Sequence, residues 1–95
     1  MTHSCNTIGQ QTTSKVISAA PVLLDGVLII TDGTNAATLT LYDNNSAASG
    51  TVVFKAVVAG SVNSAYFPFP NPLRTNAGLY AAVSGTGASY VLYVG

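Results

Sequence analysis

The feature that most constrains the fold is a series of short β-branched and apolar runs, each ended by a cluster of turn-forming residues. Runs of this length, separated by Gly, Asn, Asp and Ser, are typical of β-strands. The longest stretch of the body without Gly or Pro, residues 34–49, shows no 3.6-residue apolar stripe that would indicate a helix. We therefore predict an all-β fold. The strands are expected near residues 15–20, 22–31, 36–43, 51–59, 64–69, 78–84 and 88–94.

Most of the predicted strands alternate between apolar and polar residues, so one face of each meets a core and the other lies outside. In residues 23–30 and 88–94 both faces are apolar, which indicates central strands or faces covered by a neighbouring subunit. These patterns predict an antiparallel β-sandwich, jelly-roll-like in type, that forms one domain over residues 15–95. The residues of the other strands that are predicted to point inward are Leu39, Leu41, Val52, Phe54, Ala56, Val58, Leu79, Ala81 and Val83.

Residues 1–14 differ from this domain, because they are polar and follow neither a helical nor a strand period. We predict an extended N-terminal arm without a core face of its own. The arm is expected to be disordered in the isolated protein and to order when it adds to a partner or a neighbouring subunit. The first residues lack the charged and apolar regions of a signal peptide, and no apolar run approaches the roughly 18 residues of a membrane-spanning helix.

The sequence FPFPNP at residues 67–72 carries a specific local signal. Alternate residues of an extended chain direct their N–H groups to the same side, so the prolines of this segment remove the donors along a single edge. That edge cannot pair with another strand. We predict an edge segment that is protected against aggregation and anchored by Phe67 and Phe69. A proline-rich segment recognised by a partner is the alternative.

Charged residues make up 6% of the chain, with three Lys or Arg against three Asp or Glu and a formal net charge of zero. Globular chains usually carry roughly 25%. No basic patch is present to bind nucleic acid or an anionic membrane surface, so neither is an expected partner. Near-zero net charge gives weak repulsion between copies and therefore favours association with other protein surfaces.

No constellation of catalytic residues is evident, and we expect no enzyme activity, no catalytic or metal-binding residues and no cofactor. His3 and Cys5 both lie in the arm and have no third group to orient them. Asp32 and Asp43 each open a turn, where a local hydrogen bond from the backbone to the carboxylate is expected. A calcium site built from both carboxylates and residues 44–45 remains open, provided that the two loops meet at one end of the sandwich.

Four segments, TDGTNAATLTLYDN at 31–44, SAASGT at 46–51, NAGLY at 76–80 and SGTGA at 84–88, resemble in this order a pattern of small tailed-bacteriophage virion proteins. The resemblance covers about residues 22–94 and leaves the arm unmatched. It implies a structural domain of β-sandwich or jelly-roll type, found in capsid decoration (cement) proteins, head fibres and tail or neck components. A domain that stands alone, without a fibre repeat or coiled coil, favours a decoration protein.

The resemblance implies homotrimers on the capsid surface of the virion, made in the host cytoplasm, with the major capsid protein as partner. The expected function is to stabilise the head by bridging major capsid proteins through added interface area. A tail, neck or head-fibre component is one alternative, and a carbohydrate- or receptor-binding module whose tyrosines stack on sugars is another. The candidate interface residues are Phe67, Phe69, Arg74, Tyr80 and Tyr93.

Overall fold

The computed structural model describes residues 6–94, which form eight strands in two antiparallel four-stranded sheets and contain no helix, and hence none that could cross a membrane. Sheet A has the strand order β1-β8-β3-β6 and sheet B the order β2-β7-β4-β5. The predicted all-β class is confirmed, with every predicted strand present. The strands are β1 (Asn6–Thr7), β2 (Lys15–Ser18), β3 (Leu23–Ile30), β4 (Ala37–Asp43), β5 (Thr51–Val58), β6 (Ser64–Arg74), β7 (Leu79–Ser84) and β8 (Ser89–Val94).

The two sheets share one apolar core, which makes the fold sandwich-like. The predicted inward faces of β4 and β7 are confirmed, since Leu39, Leu41 and Leu79 are fully buried. Burial of each such side chain contributes about 1.5–3 kcal/mol to folding. The fully buried apolar residues of sheet A that complete this core are Leu24, Val27, Ile29, Tyr90 and Leu92.

β5 departs from the predicted alternation because it contains a β-bulge. Leu41 pairs with Phe54 and Tyr42 pairs with Val52, so Val53 is an extra residue in the ladder. One extra residue reverses which face the preceding residues occupy. The predicted inward position of Val52 is therefore wrong: its side chain is 48% exposed, while Val53 packs against the core.

β3 lies between β8 and β6, as its two apolar faces predicted. It also carries a bulge, at Asp25, where two residues of β3 oppose the single step from Val94 to Tyr93. The bulge allows Leu24 and Val27, which strict alternation would place on opposite faces, both to be fully buried.

β6 is the edge strand of sheet A, as the prolines predicted, and it pairs with β3 alone among the described strands. The ladder is regular up to Pro68, which faces Gly26, and the next pair is Leu73 with Leu24. Over this interval β3 advances two residues (26 to 24) while β6 advances five (68 to 73), so residues 69–72 bulge out of the ladder. The strand continues beyond the predicted end because pairing resumes after the bulge.

The described part of the predicted arm lies along β8 and extends sheet A. The N–H of Ile8 donates to the carbonyl of Leu92 at 3.2 Å, and Gln11 exchanges two backbone hydrogen bonds with Tyr90 at 2.8 and 2.9 Å. Ile8 also packs against the core. A separate arm is not found in residues 6–14, because this segment pairs the backbone edge that β8 would otherwise leave open. His3 and Cys5 lie outside the described residues.

Candidate interaction surfaces

Residues 6–94 enclose no pocket, and they contain no group of three or more His, Cys, Asp or Glu that could hold a metal ion. The candidate sites of this part of the chain are therefore the outer faces of the two sheets, their edges and the loops at their ends. Each of these surfaces is built from the strand register described above.

The outer face of sheet B carries a row of apolar and aromatic side chains that crosses all four strands. In register from one edge to the other, the row consists of Val16, Tyr80, Tyr42 and Val52. Alternation alone predicts that Tyr42 and Tyr80 face outward. Only the pairing of β4 with β7 makes them direct cross-strand neighbours, which alternation within one strand does not reveal.

The next rows of this face are formed mainly by short polar and small side chains. Thr40 pairs with Ala82 on one side and with Lys55 on the other, and Thr38 pairs with Val57. Lys55 is the one charged residue in mid-strand among β4, β5 and β7. The face as a whole therefore presents hydroxyl, methyl and aromatic groups with little charge to desolvate.

The outer face of sheet A is organised around two tyrosines. Tyr66 and Tyr93 contact edge to face, with ring centroids 5.7 Å apart and an interplanar angle of 89°. Gly26 lies beneath the Tyr66 ring. A Cβ atom at this position would stand 3.0 Å from the Tyr66 hydroxyl, so the ring can lie here only because residue 26 has no side chain. Tyr66 remains 56% exposed, and it was missing from the predicted interface residues.

The predicted interface residues occupy three separate places. Tyr80 lies on the outer face of sheet B, Tyr93 lies on the outer face of sheet A, and Arg74 is exposed at the last position of β6. Phe67 and Phe69 lie between the sheets, half-buried, and pack against the core. The five residues do not form one surface.

A cluster of three phenylalanines closes the sandwich on the side where β5 lies above β6. The ring centroid of Phe54 is 5.4 Å from that of Phe67, at 66°, and 5.6 Å from that of Phe69, at 55°. Both are tilted or edge-on arrangements, which aromatic pairs favour. The predicted anchoring of the proline segment by its phenylalanines is thus made by contacts to β5.

The Asp43 carboxylate joins two distant loops. It accepts hydrogen bonds from the backbone N–H groups of Asn76, at 2.9 and 3.0 Å to its two oxygens, and of Ala77, at 2.8 Å. These hydrogen bonds lower the pKa of Asp43 below its ordinary value, with that from Ala77 contributing most. The predicted local bond at Asp43 is wrong, because its donors come from the segment before β7. The adjacent Asn44 caps the local turn instead, accepting from the N–H of Ser46 at 2.8 Å.

Asp32 makes the local turn that was predicted for it. Its Oδ1 accepts from the N–H groups of Thr34, at 2.8 Å, and Asn35, at 2.7 Å, and its Oδ2 accepts from the Asn35 side chain at 2.9 Å. These contacts, led by the backbone N–H of Asn35, lower the pKa of Asp32. Gly33 has φ = 89°, a left-handed conformation that suits glycine.

The two carboxylates do not approach each other. Asp32 precedes β4 and Asp43 ends it, and the strand Ala37–Asp43 is about 20 Å long at roughly 3.3 Å per residue. The two loops lie at opposite ends of the same strand, so the condition on which a shared calcium site depended is not met.

Tyr90 has its side chain in the core, and its hydroxyl is satisfied by the N-terminal segment. The ring is fully buried, and the hydroxyl donates to the carbonyl of Thr13 at 2.7 Å. Burial raises the pKa of Tyr90 to about 12, because the phenolate would lose its hydration. The hydroxyl therefore acts as a neutral donor that fastens residues 8–13 to β8.

Comparison with known proteins gives no match to this chain among protein-family models, curated proteins or solved structures.

Proposed function

We propose that this chain is a non-enzymatic structural protein of a bacteriophage virion, and most specifically a capsid decoration protein that bridges major capsid proteins. The resemblance of residues 22–94 to small virion proteins suggests this class. The observation that carries the proposal is the outer face of sheet B, with its row of Val16, Tyr80, Tyr42 and Val52. Tyrosine is enriched and charge is depleted in the buried parts of protein interfaces, and this face has that composition.

Strand order supports the finer fold assignment within this proposal. The order β1-β8-β3-β6 opposite β2-β7-β4-β5 has eight strands in two sheets, as a jelly roll does. We propose this topology together with a homotrimer on the capsid surface, since a jelly-roll domain with a charge-poor outer face suits repeated contacts to a shell.

The test begins with the virions of the phage that encodes this chain. Quantitative mass spectrometry should count many copies per particle, on the scale of the major capsid protein. A handful of copies would favour a tail, neck or head-fibre component instead.

A binding experiment then examines the proposed face. The purified chain should co-sediment with DNA-filled heads that lack it, and Y80K should abolish this binding because it places an ammonium group within the tyrosine row. Y66K is the matched control on the outer face of sheet A and should bind as the wild type does. Circular dichroism confirms that both variants are folded. Loss of binding with Y66K but not with Y80K would contradict the assigned face.

The Tyr66–Tyr93 pair favours one second candidate, recognition of a carbohydrate. An exposed aromatic ring can stack on a sugar, and Tyr66 is the more exposed member of the pair. Binding on a glycan array that is lost in Y66A and kept in Y80A would support this function over decoration.

A further inference from the structure

Among the described sheet edges, three carry features that hinder the addition of another strand. β6 has prolines and a bulge of four residues at 69–72. β2 has four residues, begins with Lys15 and is interrupted by a register shift before Ser18. β1 has two residues and is followed by Gly9 with φ = 79°. Proline, lysine, short length and irregularity are the means by which proteins protect sheet edges.

β5 is the fourth edge. It shares with β2 a lysine and a register shift, at Lys55 and Val53, but it is twice as long as β2 and has no proline. It has eight residues with the sequence TVVFKAVV, without proline or glycine, and it pairs only with β4 among the described strands. Four of its residues are valine and one, Lys55, is charged. Such a strand has high β-propensity, and its outer backbone groups form a row that another strand can pair with. Val57 is 64% exposed on the outer face of this strand.

We infer that β5 is a self-association edge, at which β5 of a second copy of this chain adds antiparallel about a two-fold axis. A two-fold contact uses the same patch twice, so the strand has to complement itself. Residues opposite each other in a ladder point to the same face, so the core-facing residues of one copy must pair with core-facing residues of the other. This is possible only if the two-fold axis passes between a residue and its own equivalent in the second copy. Sheet B would then continue across the contact as eight strands, twice the number in one copy.

The side chains and the length of β5 together select Ala56 as the residue on the axis, because an axis at Val57 would pair only residues 56–58 of the strand. An axis at Lys55 would set two ammonium groups opposite each other, and an axis at Phe54 would draw the bulged Val53 into the ladder. With Ala56 on the axis, Lys55 faces Val57 of the second copy and Phe54 faces Val58 of the second copy. The methylene groups of Lys55 then cover the exposed valine, while its ammonium group stays in water.

The neighbouring edge confines the contact to one sheet. β6 lies on the same side of the sandwich as β5, where Phe54 contacts Phe67 and Phe69. Its prolines cannot donate, so sheet A does not continue across the contact. With Ala56 on the axis, residues 54–58 of β5 pair across the contact over about 16 Å, at roughly 3.3 Å per residue. The contact therefore buries less area than the ~1,600 Å² of a standard interface. With a net charge of zero, the expected product is a weak dimer whose population rises with concentration. This two-fold contact requires no shell, and it is separate from the homotrimer proposed on the capsid surface.

The experiment is sedimentation equilibrium of the full chain over a range of concentrations. The wild type should dimerise, and V57K should weaken the dimer by about tenfold, because each introduced lysine faces Lys55 of the second copy. V62K is the matched control: Val62 is 45% exposed and lies in the turn after β5, so its association should equal that of the wild type. Equal unfolding temperatures would show that both variants keep the fold.

A charge reversal tests the register itself. In the double variant K55E/V57K, the introduced glutamate faces the introduced lysine of the second copy, so association should return to the wild-type level or exceed it. Failure of the double variant to restore association would overturn the Ala56 axis. A wild-type monomer at every concentration, equal weakening by V57K and V62K, or a trimer insensitive to V57K would overturn the self-association edge.

Discussion

At the end of β4, the Asp43 carboxylate accepts hydrogen bonds from the backbone of Asn76 and Ala77, which lie 33 and 34 residues further along the chain. At the other end of the strand, the Asp32 carboxylate is used within its own turn. Two aspartates beside turn residues thus have different structural roles. Asp43 ties the loop after β4 to the approach of β7, whereas Asp32 shapes the connection between β3 and β4.

Both carboxylates make stability depend on acid pH. Because their folded pKa values are lowered, their contribution is fully present above the ordinary aspartate pKa of 3.8 and is lost as the pH falls through the folded values. We expect D43N and D32N each to reduce the dependence of the free energy of unfolding on pH in the acid range. The measurement is urea unfolding at stepped pH, and a double variant that kept the full wild-type slope would contradict the assignment.

The sequence showed which residues terminate strands, but it could not show the partners of Asp43. The carboxylate of an aspartate beside a turn has donors available within a few residues, and these are the ones that local reasoning finds. The segment that includes Asn76 and Ala77 lies close to Asp43 because β7 pairs with β4. For the same reason, Tyr42 and Tyr80 could be placed on an outer face but not beside each other.

At the scale of elements, the strand positions and the edge position of β6 were predictable, while the bulges and the other three edges were not. Apolar alternation located β4 and β7, and the prolines placed β6 at an edge. A bulge such as that at Val53 leaves no mark in a run of valines, since either neighbour could be the inward residue. The N-terminal segment was predicted to be separate because its pattern shows no core face. Its affinity for the sheet comes from backbone pairing, which composition does not reveal.

The segment 8–13 is held to β8 partly by the Tyr90 hydroxyl, so Y90F tests whether it belongs to the sheet. Loss of the bond to Thr13 should destabilise the fold by about 1 kcal/mol, since water can reach the freed carbonyl. Hydrogen exchange at the N–H groups of Ile8 and Gln11 should become faster.

The wild type should also lose stability as the pH rises from 10.0 to about 12, because Tyr90 ionises at lower pH in the unfolded chain than in the folded one. Y90F should lack this alkaline component, and its persistence would contradict the role of Tyr90.

At the scale of the whole molecule, the described chain is a thin body, with principal extents of 36 × 32 × 19 Å. Two sheets packed about 10 Å apart leave room for one layer of interdigitated side chains. Much of the remaining surface is therefore outer sheet face. Because the strands contain few charged residues, this surface carries little charge as well. In a core that is one layer thick, few other side chains can fill the space of one that is removed.

Leu41 is fully buried in this single layer, so its truncation tests how much the layer contributes to stability. L41A should cost about 2–5 kcal/mol through the cavity it leaves, out of the roughly 5–14 kcal/mol expected for a domain of this length. T40A, one residue earlier and on the outer face, should cost less than about 1 kcal/mol. Chemical unfolding of both variants makes the comparison, and equal losses would show that the core is not confined to the layer between the sheets.

The pairing of Asn6 with Val94 has a consequence for how the domain can be joined to other polypeptides. Asn6 and Val94 are direct partners across β1 and β8, so the first and last described residues lie side by side at one corner of the domain. The domain therefore has the geometry of an insertable unit, which a loop of a host protein could carry with short connectors on both sides. A circular permutant that links the two ends and opens the exposed loop at residues 46–50 should keep both sheets.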